Sequence, residues 1–109
     1  MDDIELSLKA NWPDTPDDYG VFWTSDKFGK WRIGRIMHLP ELPGSDTWRW
    51  MVNLPVPIPP HCHGRVASLA EAQAAFRRAW ETFLPTLTAS QLQHAFETHR
   101  SAGRKAQII

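Results

Sequence analysis

The chain has 109 residues, which fits one domain, and twelve basic and twelve acidic side chains give a formal net charge of zero. Its single cysteine, Cys62, excludes an internal disulfide and a cysteine-only metal cage. The longest uncharged stretch contains a proline run and is too short for a transmembrane helix, so we expect no membrane association. The acidic N-terminus lacks the basic start and apolar middle of a secretory signal, which predicts a cytoplasmic protein.

Charge is distributed unevenly along the chain. Residues 1–26 contain seven acidic side chains and one basic one, whereas residues 27–109 contain eleven basic and five acidic ones. Either both regions are simply solvated, or an acidic arm covers a basic surface, or a basic surface meets an acidic partner. Six tryptophans indicate a core rich in indole rings, whereas an exposed pair of them would indicate a binding face.

The N-terminal segment, residues 1–18, is predicted to be an acidic irregular arm, because prolines and aspartates interrupt "NWPDTPDDYG". A short strand or a helical turn over residues 4–9 is an alternative, since the apolar residues there alternate. Residues 19–103 are then expected to form a single α+β domain, and residues 104–109 a basic tail.

Three strands are predicted over residues 19–25, 30–39 and 47–54, with a loop at 40–46. The third alternates most regularly, with Trp48, Trp50, Val52 and Leu54 on one face. In the second strand, alternation puts Trp31 and Ile33 on one face and Arg32 and Ile36 on the other. The alternation degrades near Gly34, where a β-bulge is an option. After the extended proline run at 55–60, "CHGRVA" is a candidate fourth strand.

Two helices are predicted to follow the strands. Ser68 and Glu71 form a capping-box pattern before an amphipathic segment that Pro85 ends. Thr88 and Gln91 repeat the pattern before a second helix, which Gly103 is expected to close. The fold class is therefore α+β: a three- to four-stranded antiparallel meander followed by two C-terminal helices, the first packed on the sheet. The predicted core residues are Trp48, Trp50, Val52, Phe76, Ala79, Trp80 and Phe83.

Four arginines are the candidate binding residues: Arg32, Arg35, Arg49 and Arg65. If they project from the solvent face of the sheet they would contact phosphates or base edges, and Phe22, Phe28 or Trp23 would stack on bases. The alternative is that they only solubilise a half-exposed sheet. Overall neutrality argues against a strong nucleic-acid binder, so nucleic acid is not the favoured partner.

A metal site is the lowest-ranked hypothesis. His61 and His63 would share a face if both lay on a strand, and His38 is the obvious third donor. Cys62 lies between them, but neighbours on an extended segment point apart, so a thiolate–imidazole pair is not expected. Motifs for a phosphate-binding glycine loop, a serine nucleophile or paired carboxylates are absent from the sequence. We therefore expect no cofactor and lean against an enzyme.

The segment around the third strand and first helix resembles a family of small uncharacterised alpha-proteobacterial proteins with a W-x-W strand and an E-A-x-A-A-F-x-x-x-W helix. The matching positions are Trp48, Trp50, Gly64, Ala67, Ser68, Glu71, Ala72, Ala74, Ala75, Phe76 and Trp80. The resemblance covers about residues 30–84 and implies a fold and a bacterial source, without an activity.

The strand–strand–strand–helix order is also similar to sheet-type DNA-binding domains of plant transcription factors and phage integrases, and to small antitoxin-type domains. We expect a non-catalytic binding or interaction module whose partner the sequence does not identify, with a protein partner or a homodimer as candidates. The alternatives are a nucleic-acid-binding domain and a metal-dependent protein.

Overall fold

Five antiparallel strands and two C-terminal helices make up the part of the chain that this computed structural model describes, residues 4–39 and 47–108. Thr15 and residues 101–108 are described without their side chains. The elements are β1 (Glu5–Trp12), β2 (Thr15–Ser25), β3 (Gly29–Leu39), β4 (Thr47–Val52), β5 (His63–Val66), α1 (Leu69–Phe83) and α2 (Ala89–Ile108). The strands follow one another in the sheet in chain order. The predicted α+β meander is confirmed, with five strands in place of three or four.

The N-terminal segment is the main error of the sequence-based prediction. Within residues 1–18, which were expected to be irregular, β1 pairs antiparallel with β2, and β2 already begins at Thr15. Pro13 and Asp14 form the tight turn between the two strands, so the proline there marks a hairpin and not an irregular arm. The short strand considered for residues 4–9 corresponds to most of β1. The loop predicted at 40–46 lies outside the described residues.

The core lies between one face of the sheet and α1. Phe76 meets Trp50 with ring centroids 6.3 Å apart, and Trp80 meets Trp23 edge-on at 5.2 Å. Six of the seven predicted core residues are buried, and Trp48 is partly buried against them. We call this side of the sheet the inner face, and the side away from α1 the outer face.

Both helices begin at the predicted capping boxes. The backbone N–H of Glu71 donates to the Ser68 hydroxyl at 3.1 Å, and the Glu71 carboxylate accepts from the N–H of Ala67. At α2, the backbone N–H of Gln91 donates to the Thr88 hydroxyl, and the Gln91 side chain accepts from Thr88. These contacts satisfy N–H groups that a helix start leaves without partners, which fixes where each helix begins.

The second helix packs against the β2–β3 turn and β3 through one aromatic contact region. Phe96 stacks on Phe28 at 4.7 Å and meets Trp31 edge-on at 5.4 Å. α2 continues to Ile108, so the prediction that Gly103 ends it is wrong. Neither helix in the described part of the chain is both long and apolar enough to cross a membrane.

Candidate functional site

All four candidate arginines lie on the outer face. Directly paired residues of antiparallel strands point to the same side of a sheet. Arg49 pairs with Arg65 on β5, and Arg35 pairs with Met51. These positions alternate with Trp50 and Ile36, which are buried on the inner face beneath α1. Arg32 likewise alternates with the buried Trp31.

A β-bulge in β3 brings Arg32 and Arg35 to the same side. Val21 of β2 pairs with Gly34 and Phe22 pairs with Arg32, so Ile33 has no partner on β2. The extra residue reverses the alternation, because strict period two would put residues 32 and 35 on opposite faces. The bulge considered at Gly34 is thus present. The same reversal corrects the expectation that Ile36 shares the face of Arg32, since Ile36 is buried on the inner face.

Arg35 is held in place by a buried carboxylate. Its Nε donates to Asp18 Oδ1 at 2.9 Å and its Nη2 donates to Oδ2 at 2.6 Å, a two-point contact. Asn11 Nδ2 donates a further hydrogen bond to Oδ1 at 2.8 Å. Asp18 follows Asp17, whose φ of 62° marks an irregularity in β2 opposite β1. Asp18 is the only buried acidic side chain of the described residues, and its pairing with Met37 places it on the outer face.

The hydrogen bond from Arg35 lowers the pKa of Asp18 below its ordinary value of 3.8; burial opposes that shift, and Asn11 adds to it. The Asp18 carboxylate therefore binds a proton less readily in the folded protein than in the unfolded chain. The stabilisation is present above about pH 4 and is lost as the pH falls through the lowered pKa of the folded state.

We expect Asp18→Asn to lower the free energy of unfolding at neutral pH by about 1–2 kcal/mol, a modest value because water partly screens Arg35. Urea titrations at pH 7 and pH 3 measure it, and the difference from wild type should shrink at pH 3. Asp26→Asn, at an exposed turn position, is the control. An equal loss for Asp18→Asn at both pH values would contradict this assignment.

Arg32 lies flat across the outer face above Gly20. A Cβ atom at Gly20 would lie 2.9 Å from Arg32 Nε, so the missing side chain provides the space for the guanidinium group. Arg32 Nε is buried, and no residue in the described part of the chain accepts a hydrogen bond from it. A buried donor without an acceptor is costly to the fold.

Phe22 is the aromatic residue of the outer face. It pairs with Arg32, is partly exposed, and has Lys30 Nζ at 5.8 Å from its ring centroid. The other two predicted stacking residues, Trp23 and Phe28, are partly buried and pack against Trp80 and Phe96, away from the outer face. Their assignment to a binding face is therefore wrong.

Positive charge dominates this surface. Among the residues paired in the sheet, the outer face carries six basic and two acidic side chains: Lys9, Lys30, Arg32, Arg35, Arg49 and Arg65 against Glu5 and Asp18. Arg49 and Arg65 are exposed and lie opposite each other, with no ion-pair partner among residues 4–39 and 47–108. Like charges facing across two strands destabilise a sheet, so an anion bound between them would relieve that repulsion.

The histidines do not converge. Residues 60–62 form a 3₁₀ turn, so His61 precedes the strand on which His63 lies, and the expected shared face does not exist. His61 faces Phe83 at 6.5 Å, His63 lies on the outer face, and His38 contacts Trp48 on the inner face. The described residues hold no cluster of three or more His, Cys, Asp or Glu side chains suited to a metal ion.

Cys62 is a core residue. It is fully buried, and burial raises the pKa of its thiol, which keeps it protonated at neutral pH. Because the thiolate is the reactive form, this position does not suit a nucleophile.

Comparison with protein-family models, with curated protein sequences and with solved structures gives no match to the chain. The resemblance to alpha-proteobacterial proteins therefore stays a prediction. The site residue that sequence reasoning missed is Asp18, because it lies in the segment expected to be irregular. Its signal was the period-two series Asp18, Gly20 and Phe22, which continues the strand predicted from residue 19.

Proposed function

We propose that the protein is a non-catalytic binding module whose outer sheet face binds single-stranded nucleic acid. The observation that carries the proposal is the single basic face on which Arg32, Arg49 and Arg65 lie with Arg35, whose charge is balanced by Asp18. Guanidinium groups suit phosphate because they present several donors in a planar fork and stay charged. The net charge of zero does not oppose this, because a local excess of positive charge attracts a polyanion on the side where it lies.

The shape of the face favours a single strand over a duplex. Five strands spaced at about 4.8 Å span about 19 Å, which exceeds the roughly 12 Å width of the DNA major groove. An open sheet face with a partly exposed aromatic ring suits an unpaired strand, whose bases stack on aromatic side chains while its phosphates meet basic ones. Phe22, between Lys30 and Arg32, occupies such a position.

We expect the double variant Arg49→Glu/Arg65→Glu to weaken binding of a mixed-sequence single-stranded oligonucleotide by about tenfold or more. Fluorescence anisotropy at low and moderate salt measures the affinity. If four phosphates are contacted, the wild-type slope of log affinity against log salt should be about −3, and it should be shallower in the variant. The matched control is Arg78→Glu/Arg100→Glu, which makes the same charge change at exposed helix positions.

Phe22→Leu separates base stacking from simple attraction to charge. It should weaken oligonucleotide binding while leaving the binding of heparin, a polyanion without bases, unchanged. Tighter binding of duplex than of single strand would overturn the single-strand assignment. No binding of either at low salt, or equal losses in the outer-face and helix variants, would overturn the proposed function.

A further inference from the structure

The edge strand β1 presents a long, unpaired side. It has eight residues and lies at the end of the sheet, where the described structure pairs it with β2 alone. The opposite edge, β5, has only four residues. Short edge strands discourage pairing with other chains, whereas a long edge offers a row of free N–H and C=O groups to another strand.

We propose that β1 pairs antiparallel with β1 of a second copy of this chain, about a two-fold axis centred on Ser7. In that register Glu5 lies opposite Lys9 of the second copy, and the symmetry produces this pair twice. Both side chains lie on the outer face and are exposed. Directly opposed charges of opposite sign stabilise a strand pair.

The register is specified by these charges. Centring the axis on Leu8 would place Glu5 opposite Asn11 and Lys9 opposite Ser7, and centring it on Leu6 would place Glu5 opposite Ser7. Among these three neighbouring registers, only the Ser7 centre places Glu5 opposite a base.

Ser7 itself provides an independent observation. Its hydroxyl oxygen is buried, and within the described residues it has no hydrogen-bond partner. Buried hydroxyl groups are nearly always paired, because burial removes the water that would otherwise bond them. The two-fold axis brings the Ser7 hydroxyls of the two copies opposite each other, where each supplies the other with a donor or an acceptor.

The inner face supplies apolar surface to the same contact. A groove of about 390 Å³ lies between β1 and α1, and its apolar lining consists of Leu6, Leu8, Val21, Ile36 and Phe76. Leu6 and Leu8 are only partly buried there. In the proposed register Leu6 lies opposite Leu8 of the second copy, so the apolar strips of the two chains become continuous and lose contact with water.

Exchange of charges tests the register directly. Sedimentation equilibrium should show a dimer for the wild type, and Glu5→Lys or Lys9→Glu alone should weaken it by about tenfold or more. An equimolar mixture of the two variants should dimerise again, because each Lys then faces a Glu. The double variant Glu5→Lys/Lys9→Glu should also dimerise.

Circular dichroism and thermal unfolding of each variant check that the monomer still folds. A wild-type protein that stays monomeric at its highest soluble concentration overturns the proposal. So does a dimer that ignores both substitutions, or one that neither the mixture nor the double variant restores. This contact is independent of the proposed function, since dimerisation is measured without nucleic acid.

Discussion

Trp80→Ala is expected to lower the free energy of unfolding by about 4 kcal/mol, because it removes the largest fully buried side chain of the described core. The indole of Trp80 is enclosed by aromatic rings, with Trp23 edge-on at 5.2 Å and Phe83 at 6.2 Å. These rings come from β2 and α1, so the cavity would open between the sheet and its covering helix. Urea unfolding followed by circular dichroism measures the loss.

Two further substitutions test whether the lost packing of Trp80 causes the destabilisation. Trp12→Ala makes the same chemical change at a side chain that is 59% exposed, and should change stability by about 0.5 kcal/mol or less. Trp80→Phe keeps an aromatic ring and removes a buried indole N–H that has no hydrogen-bond partner in the described structure. Its loss should therefore be well below that of alanine. Similar losses for Trp80→Ala and Trp12→Ala would contradict the packing described here.

Gly34→Val is expected to cost about 3 kcal/mol through overpacking, the second-largest effect. A Cβ atom at this position would collide with the carbonyl oxygen of Met51 and with the ring of Phe76. The first is backbone of the neighbouring strand and the second is a fully buried side chain, so neither moves cheaply. Gly34 is thus where α1 approaches the sheet most closely among the described glycines, and thermal unfolding should report the loss.

The control for this position is Gly29→Ala. Its φ of +72° makes any side chain strained, but no atom lies within 4 Å of the added carbon. It should therefore cost only about 1–2 kcal/mol of backbone strain. A second check combines Gly34→Ala with Phe76→Leu, which removes part of the collision, so the two losses should not add. If the stability losses of the two substitutions add strictly, residue 34 and Phe76 are not in direct contact.

Local signals predicted the helices and the central strands well. The start of α1 is encoded in two residues, Ser68 and Glu71, whose hydrogen bonds form within one turn of chain. The alternation over residues 47–52 reflects one buried and one solvated face, which a single strand reveals by itself. These features depend on neighbours in sequence, so the sequence alone suffices to find them.

The errors arose where distant partners decide the structure. β1 is a strand because it pairs with β2, which the proline-rich and acidic composition of the segment concealed. α2 passes Gly103 because one glycine costs a helix only about 1 kcal/mol relative to alanine. The shared face of Arg32 and Arg35 depends on one unpaired residue in β3, and pairing between strands determines where such a residue lies.

The extra residue at Ile33 also protects the sheet against misalignment during folding. Because of the bulge, the side chains before and after Ile33 alternate in opposite phase. If β3 paired with β2 one residue out of register, Trp31 or Ile36 would face water or a guanidinium group would face the core. Neither alternative is compatible with a closed interior. A misaligned sheet, which elsewhere can persist and aggregate, is therefore penalised at the middle strand of the five.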